Sequence, residues 1–437
     1  MILACAVQLA MMSSVAMKAT EVQRTIDAVW RIESAKLIAG LARLTRDVGL
    51  AEELAQDALV TALEQWPRSG VPGNPGAWLM ATARNRGIDQ LRRRQMVSRK
   101  HEALSAELEM DQEHSGRSVE AGADDEIGDD LLRLIFTACH PLLPTEARTA
   151  LTLRLLGGLT TAEIARAFLV PESTIAQRIV RAKRALSEAA VPFEIPRGEE
   201  LRRRLSSVLE VIYLVFNEGY SATAGSDWMR PALCEEALRI GRILAGLAPG
   251  ESEVHGLVAL MEIQASRIRA RTRPNGEPVL LREQNRVLWD RVLIHRGLVA
   301  LARGEALGET RGPYLLQAAI AACHARALTP EDTDWVYITA LYDELARLTP
   351  SPVVELNRAV AVSMAYGPAA GLELADRLAA EGTLKSYHLL PSVRGDLLVK
   401  LGRYTEARGE FERAAQLTHN ARESRLLLDR AAACVRT

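Results

Sequence analysis

The chain has 437 residues, enough for two to four domains, and its hydrophobic content of 48 % is ample for compact cores. Aromatic residues make up only 4 %, and alanine, leucine and arginine dominate, which favours an almost entirely helical protein. The five scattered cysteines contain no CxxC pair, which argues against a disulfide framework or a metal site and indicates a reducing cytoplasm.

The formal net charge of −1 hides a strong asymmetry along the chain. Residues 84–100 are strongly basic, whereas residues 102–130 are strongly acidic. A basic surface of this kind is typical of nucleic-acid binding, and the acidic stretch reads as a tether beside it.

The first segments predict a terminal extension and then a long helix. Residues 1–16 are apolar but lack a basic n-region and are too short to span a membrane, so we expect a non-native or disordered extension with Met17 as the native start. Apolar residues at helical spacing from Val22 to Leu44 predict one amphipathic helix.

Residues 50–66 predict the next helix, with Leu54, Ala58, Ala62 and Trp66 facing inward. Its outer face is acidic and has two interpretations, a solvated surface or a surface that docks on another protein. The residues of this predicted face are Glu52, Glu53, Gln56, Asp57 and Glu64.

Residues 67–75 form a loop rich in turn formers, followed by a basic helix. Asn74 is a good N-cap and Pro75 a good first helical residue. The outward cations of this helix suit a DNA backbone. Trp78 near its start has two interpretations, stacking on a base or packing in the core.

Residues 98–130 predict a linker, and two further helices lead from it into a helix-turn-helix. Thr160 and Glu163 form a capping box, and the sequence Leu169-Val170-Pro171 ends the first helix. The second helix begins near Glu172 with a buried stripe and an opposite polar face. Such a pair either offers its second helix to a major groove or is an ordinary helical hairpin with a basic face. The stripe is Ile175, Ile179, Ala182 and Leu186, and the polar face is Thr174, Gln177, Arg178, Arg181 and Arg184.

Beyond a boundary at residues 192–196 the pattern stays helical to the end of the chain. Residues 395–418 closely resemble a tetratricopeptide unit, and residues 351–378 are a weaker echo of it. This part contains no GxSxG, no HExxH, no phosphate-binding glycine loop and no paired acid–base set. We therefore predict no enzyme, no cofactor and no metal.

The paired blocks RDVGLAEELAQDALVTALEQW and NPGAWLMATARNRGIDQLRRR resemble region two of extracytoplasmic-function sigma factors of bacterial RNA polymerase, and residues 131–189 resemble their region four. The expected fold is all-α, in four parts. These are region two over residues 17–97, an acidic linker over 98–130, region four over 131–191, and a tetratricopeptide-like extension over 197–437.

The resemblance implies binding to core RNA polymerase and promoter DNA, in the cytoplasm and without a membrane partner. Glu53, Gln56, Asp57 and Glu64 fall where the family docks on the clamp helices of the largest subunit, and region four normally docks on the flap of the second-largest subunit. The residues implied at the minus-ten element are Arg68, Asn74, Trp78, Asn85, Arg86, Asp89, Arg92 and Arg93. Those implied at the minus-thirty-five element are Thr174, Ala176, Gln177, Arg178, Val180, Arg181 and Arg184.

Two motifs look like the extension of a subgroup of these sigma factors. They contribute Asn217, Glu218 and Tyr220, and Arg311, Gly312, Pro313 and Tyr314. Their interpretations are an intramolecular contact to region two or four, a small-ligand pocket, or a capped helix with packing residues. Two other protein classes stay open: a helical-repeat adaptor without sigma activity, and a stand-alone helix-turn-helix DNA-binding regulator.

Overall fold

The computed structural model describes residues 2–103, 123–168, 170–222, 224–225, 228–274, 276–308 and 310–435. It divides into two compact units, residues 1–211 and residues 212–437. Both are built from α-helices, as the composition predicts.

The first unit contains three helices of an N-terminal block, then a helix-turn-helix block and a long helix that crosses the unit boundary. In chain order these are α1 (Ile2–Thr45), α2 (Val48–Ser69), α3 (Pro75–Ala103), α4 (Ala123–Ala138), α5 (Thr145–Leu155), α6 (Thr161–Phe168), α7 (Glu172–Glu188) and α8 (Gly198–Tyr220).

Caps define where α2 and α3 begin. The Asp47 carboxylate accepts a hydrogen bond from the Leu50 N–H at 3.0 Å, and the Asn74 side chain accepts one from the Ala77 N–H at 3.0 Å. The N-cap prediction for Asn74 is therefore confirmed. The predicted stripe of α2 is also buried, with Leu54 at 2 % and Trp66 at 1 % exposure.

The helix-turn-helix forms as the sequence predicts. Thr160 and Glu163 make the reciprocal capping box, with the Thr160 N–H donating to Glu163 Oε2 at 2.8 Å and the Glu163 N–H donating to Thr160 Oγ1 at 3.1 Å. Ile175, Ile179, Ala182 and Leu186 are all buried on α7. Leu169, which belongs to the predicted break, lies outside the described residues.

The predicted linker is partly helical. α3 continues to Ala103 and α4 begins at Ala123, so only residues 104–122 of the segment 98–130 lie outside the described part of the chain. The acidic residues at the start of α4 favour a helix N-terminus because they oppose its positive dipole end. At the other end of the block, α1 begins at Ile2, so residues 2–16 are helical, while the start at Met17 stays a prediction.

The first half of α8 packs on the helix-turn-helix block. An Arg204 guanidinium N–H donates to the Phe136 carbonyl at 3.0 Å, and the Ser207 hydroxyl donates to the Cys139 carbonyl at 2.7 Å. The division into two compact units falls after Val211, inside α8.

The second unit is a run of helical pairs. Its helices are α9 (Pro231–Leu247), α10 (Ser252–Ala265), α11 (Arg291–Leu307), α12 (Pro313–Arg326), α13 (Trp335–Leu348), α14 (Pro352–Tyr366), α15 (Pro368–Glu381), α16 (Leu389–Lys400), α17 (Tyr404–Leu417) and α18 (Ala421–Ala433). Two-residue strands, β1 (Ala224–Gly225) and β2 (His419–Asn420), pair in parallel.

The helical pattern of residues 281–303 predicts one continuous helix, and this prediction is wrong. The segment forms two 3₁₀ turns, Leu281–Glu283 and Arg286–Leu288, before α11 begins at Arg291. The Asp290 carboxylate accepts hydrogen bonds from the N–H groups of Val292 and Leu293, which fixes the start of α11.

Close approach of α14 and α15 explains the small residue at Gly371. A Cβ there would lie 2.7 Å from the Ala359 carbonyl oxygen and 2.4 Å from the Ser363 Cβ. We expect Gly371→Ala to lower the free energy of unfolding by about 1–3 kcal/mol, because the two helices must separate. Gly409→Ala is the matched control. A Cβ at this exposed helical position meets nothing within 4 Å, so this change should stabilise by up to about 1 kcal/mol. Urea unfolding curves that rank the two variants the other way would contradict this packing.

Among the described residues, no helix is long and apolar enough to cross a membrane.

Candidate functional site

One face of α7 carries the side chains that sequence reasoning assigns to DNA. Gln177, Val180, Arg181 and Arg184 are exposed and lie at i, i+3, i+4 and i+7, which places them on a single stripe. Thr174, Ala176 and Arg178 are half-buried beside it. The structure therefore brings the seven predicted residues onto one helix, with four of them fully presented.

The chemistry of this stripe is suited to base edges. Val180 is 64 % exposed and lies between Gln177 and Arg181 on this stripe. Its methyl groups match the thymine methyl, while glutamine and arginine match adenine and guanine edges. Arg181 forms no ion pair within the described part of the chain. Arg184 instead pairs with Glu188 at 2.6 Å, and both are exposed.

The predicted acidic face of α2 needs one correction. Glu53, Asp57 and Glu64 are exposed and Gln56 is half-buried, but Glu52 is only 2 % exposed. The Glu52 carboxylate accepts a hydrogen bond from Arg154 Nε at 2.6 Å and also contacts the Lys183 ammonium. Glu52 follows the buried Ala51, and helical spacing puts it beside the buried Ala55; these neighbours are the signal that could have revealed its burial.

Arg154 and Lys183 belong to α5 and α7, so Glu52 ties the N-terminal block to the helix-turn-helix block. Gly158 supports the same contact. It adopts φ +64°, and a Cβ there would lie 3.0 Å from the Ser34 hydroxyl of α1. The two blocks of the first unit thus pack directly on each other.

The predicted minus-ten residues are not equivalent in the structure. Arg68, Asn85, Asp89 and Arg92 are exposed. The Asn74 side-chain oxygen is engaged as the cap of α3. The side chain of Arg93 lies outside the described residues.

Arg86 contacts a residue with a different predicted role. Its guanidinium donates to the Asp57 carbonyl at 2.9 Å and lies 3.8 Å from the Asp57 carboxylate. A predicted DNA contact and a predicted polymerase contact therefore lie side by side across α2 and α3.

Trp78 is half-buried and packs edge-to-face on Trp66, with ring centroids 5.4 Å apart. This geometry is compatible with both interpretations of Trp78. The ring packs on the core residue Trp66, and the part that stays accessible could stack on a base.

The residues of the two extension motifs contact other residues of the second unit. Glu218 is buried and pairs with Arg230, and the Tyr220 ring lies 3.6 Å from the Arg271 guanidinium. Asn217 is half-buried beside them. Arg311 pairs with Glu305 at 2.7 Å and donates to the Tyr337 hydroxyl at 3.2 Å.

The N-terminus of α12 is capped by a carboxylate from α10. The Glu253 carboxylate accepts hydrogen bonds from the N–H groups of Tyr314 at 2.8 Å and Leu315 at 3.1 Å. Burial raises the pKa of this carboxyl, although the two N–H donors oppose the shift. Gly312 caps the helix, Pro313 is its first residue, and Tyr314 packs on Tyr213 with ring centroids 5.5 Å apart. The capped-helix interpretation of this motif thus fits the geometry.

Comparison with known families assigns three segments. Residues 33–96 match the model for sigma-70 region 2, residues 133–186 match sigma-70 region 4, and residues 204–305 match a family of unknown function, DUF6596. No solved structure matches the chain.

Whole-length and partial relatives agree with these segments. An uncharacterized protein of Rhizobium meliloti (strain 1021) is 46 % identical over 90 % of this chain and 92 % of its own length. The ECF RNA polymerase sigma factor SigK of Mycobacterium ulcerans (strain Agy99) is 30 % identical over 33 % of this chain and 75 % of its own length. SigC of Mycobacterium tuberculosis (strain CDC 1551 / Oshkosh) is 30 % identical over 34 % of this chain and 75 % of its own length.

Sigma factors are non-catalytic proteins that bind core RNA polymerase and promoter DNA in transcription initiation. The order of the two sigma regions, the exposed stripe of α7 and the similarity to SigK and SigC lead to one conclusion: the chain belongs to the ECF family of RNA polymerase sigma factors and carries a C-terminal helical extension.

Proposed function

We propose that this sigma factor reads the minus-thirty-five element through the α7 stripe and the minus-ten element through the α2–α3 loop and α3. The observation that carries the proposal is the exposed Val180 between Gln177 and Arg181. An apolar side chain flanked by glutamine and arginine on one exposed face offers contacts to the thymine methyl group and to adenine and guanine edges together.

The proposed polymerase contacts divide between the two regions. Glu53, Asp57 and Glu64 present carboxylates to solvent on α2, and we assign them to the clamp helices of the largest subunit, with Gln56 beside them. Region four would dock on the flap of the second-largest subunit. Region two would capture bases that have left the stack, at an unstacking cost of a few kcal/mol.

Promoter binding requires the two regions to separate. The names of the two elements place them about 25 base pairs apart, which at 3.4 Å per base pair is about 85 Å. In the structure, Glu52 of region two instead touches Arg154 and Lys183 of region four. We propose that this contact belongs to the free protein and breaks when both regions engage the promoter on polymerase.

For the extension we propose a regulatory role in cis. Its helical pairs form a separate compact unit, as expected of a module that responds to a partner or ligand. Arg311 is the residue with which to test it, because it is half-buried and joins Glu305 to Tyr337 rather than holding the core.

The test is reconstituted transcription with purified bacterial core polymerase over a genomic promoter library. We expect the full-length protein to give specific transcripts, and a fragment of residues 17–211, which keeps Arg204 and Ser207 of α8, to change their yield. Arg311→Ala should shift yield without changing promoter choice. Full-length protein that binds no core and gives no transcripts would favour the adaptor, and strong binding of free protein to a palindrome would favour the stand-alone regulator.

A further inference from the structure

Three arginines of the second unit are buried close to one another. Arg267, Arg271 and Arg286 are 8 %, 8 % and 7 % exposed. In the described part of the chain none of them forms an ion pair with a carboxylate. Burial of an unpaired guanidinium is costly, so this local excess of positive charge needs an explanation.

Aromatic rings link the three guanidiniums into one cluster. The Arg267 guanidinium carbon lies 5.8 Å from the Tyr220 ring centre and 5.7 Å from that of Trp289. Arg271 lies 3.6 Å from the same Tyr220 ring and 5.6 Å from Trp228. Arg286 lies 4.9 Å from Trp289. We call Tyr220, Trp228, Arg267, Arg271, Arg286 and Trp289 the arginine–aromatic cluster.

Two of the arginines have structural partners and the third does not. Arg271 donates to the Tyr220 carbonyl, and Arg286 donates to the carbonyls of His324 and Ala327. Among the residues that the structure describes, the Arg267 side chain has only the two ring faces as partners, and its Nε–H has no hydrogen-bond acceptor. Ring faces attract the positive charge, but they accept no hydrogen bond from the N–H groups that point outward in the plane of the guanidinium. These in-plane N–H groups of Arg267 are therefore available to a ligand.

Other buried donors of the cluster are also unsatisfied. The Nε–H of Arg286 and the indole N–H groups of Trp228 and Trp289 have no acceptor. Water could satisfy individual donors, but it carries no negative charge to offset that of Arg267. An oxyanion supplies several acceptor oxygens and negative charge together, and its geometry fits the guanidinium fork.

Burial and the nearby arginines both change the pKa of His324. Burial, together with the charges of Arg267 and Arg286, lowers the pKa of His324 to about 3. Tyr220 and Trp228 are half-buried, so this side of the cluster reaches the surface.

We propose that the arginine–aromatic cluster is a binding site for an oxyanion, the phosphate or carboxylate group of a small ligand. Arg267 is the main charge partner of that group, and the indole N–H groups of Trp228 and Trp289 contribute further donors. The site gives the extension a ligand of its own, separate from polymerase and promoter DNA. It does not depend on the proposed assignments of the sigma regions.

The experiment measures tryptophan fluorescence and thermal unfolding of the full-length protein with inorganic phosphate, acetate, or sodium chloride at matched ionic strength. We expect a saturable response to phosphate, to acetate or to both that chloride does not reproduce. The anion whose response saturates at the lower concentration shows whether the ligand carries a phosphate or a carboxylate group.

Variants test whether that response comes from the cluster. Arg267→Met keeps the length of the side chain but removes its charge and fork, and should weaken anion binding at least tenfold. Arg267→Lys keeps the charge and should weaken anion binding severalfold. This variant provides the test if Arg267→Met fails to fold. Arg408→Met is the control, because Arg408 is exposed and paired with Glu412 at 2.7 Å. An anion response no larger than that of chloride, or one unchanged in both Arg267 variants, would overturn the proposal.

Discussion

Replacing Gln177 and Arg181 together by alanine is expected to abolish transcription from cognate promoters while leaving core-polymerase binding intact. Both side chains are exposed on α7, so the fold should not change. Each base contact of this type contributes about 1–3 kcal/mol of discrimination. Losing two should therefore reduce specific initiation by at least about 30-fold, since each 1.4 kcal/mol is a factor of ten.

The measurement is run-off transcription with the double variant beside a matched control. Arg413→Ala with Gln416→Ala removes the same two residue types from exposed positions of α17, and it should leave transcription unchanged. Wild-type transcript levels from the α7 variant would show that another surface reads the upstream element.

Removing the Glu52 carboxylate is expected to have the largest effect on stability. In Glu52→Ala, the Arg154 and Lys183 side chains, which are only 22 % and 21 % exposed, lose their shared anion. Breaking a buried ion pair costs about 3–5 kcal/mol, and the residual exposure of both cations places this case near about 3 kcal/mol. For a unit of this size each kcal/mol lowers the melting temperature by about 2–4 °C, so a fall of about 6–12 °C is expected.

Calorimetry of the full-length protein can follow the transition of the first unit directly. Glu53→Ala provides the comparison, because this neighbouring carboxylate is exposed and its removal should change stability by less than about 0.5 kcal/mol. A double-mutant cycle between Glu52→Ala and Lys183→Ala should give a coupling energy of at least about 1 kcal/mol. If Glu52→Ala melts like the wild type, the contact between regions two and four is not maintained in solution.

Local sequence patterns were sufficient to predict the caps and the buried helix faces, because each of these depends on residues only a few positions apart. The capping box of Thr160 and Glu163, the N-cap Asn74 and the buried stripe of α7 formed as predicted, because each depends on spacing along one helix. The exposed face of α7 followed from the same periodicity. The family resemblance, carried by two blocks in order, is confirmed by the sigma-70 matches.

Contacts between residues distant in sequence decided what the local pattern could not. The sequence predicts Glu52 on an exposed acidic face, but Arg154 and Lys183, over one hundred residues further along the chain, pair with it in a buried position. The sequence leaves a capped helix and a binding site as alternatives for the α12 N-terminus, and Glu253, some sixty residues earlier, supplies the cap. A helical pattern shows which side of a helix is polar, but only packing decides whether a charge on that side meets water or another charge.

The sequence by itself determined the class of the protein, its helical character and the residue types of the stripe on α7 that we propose reads DNA, because periodicity, caps and motif order are local properties. Only the tertiary structure decided which charges are buried and which of the described arginines pack on aromatic rings instead of carboxylates. These follow from long-range packing, in which the desolvation of each charge depends on the elements that surround it.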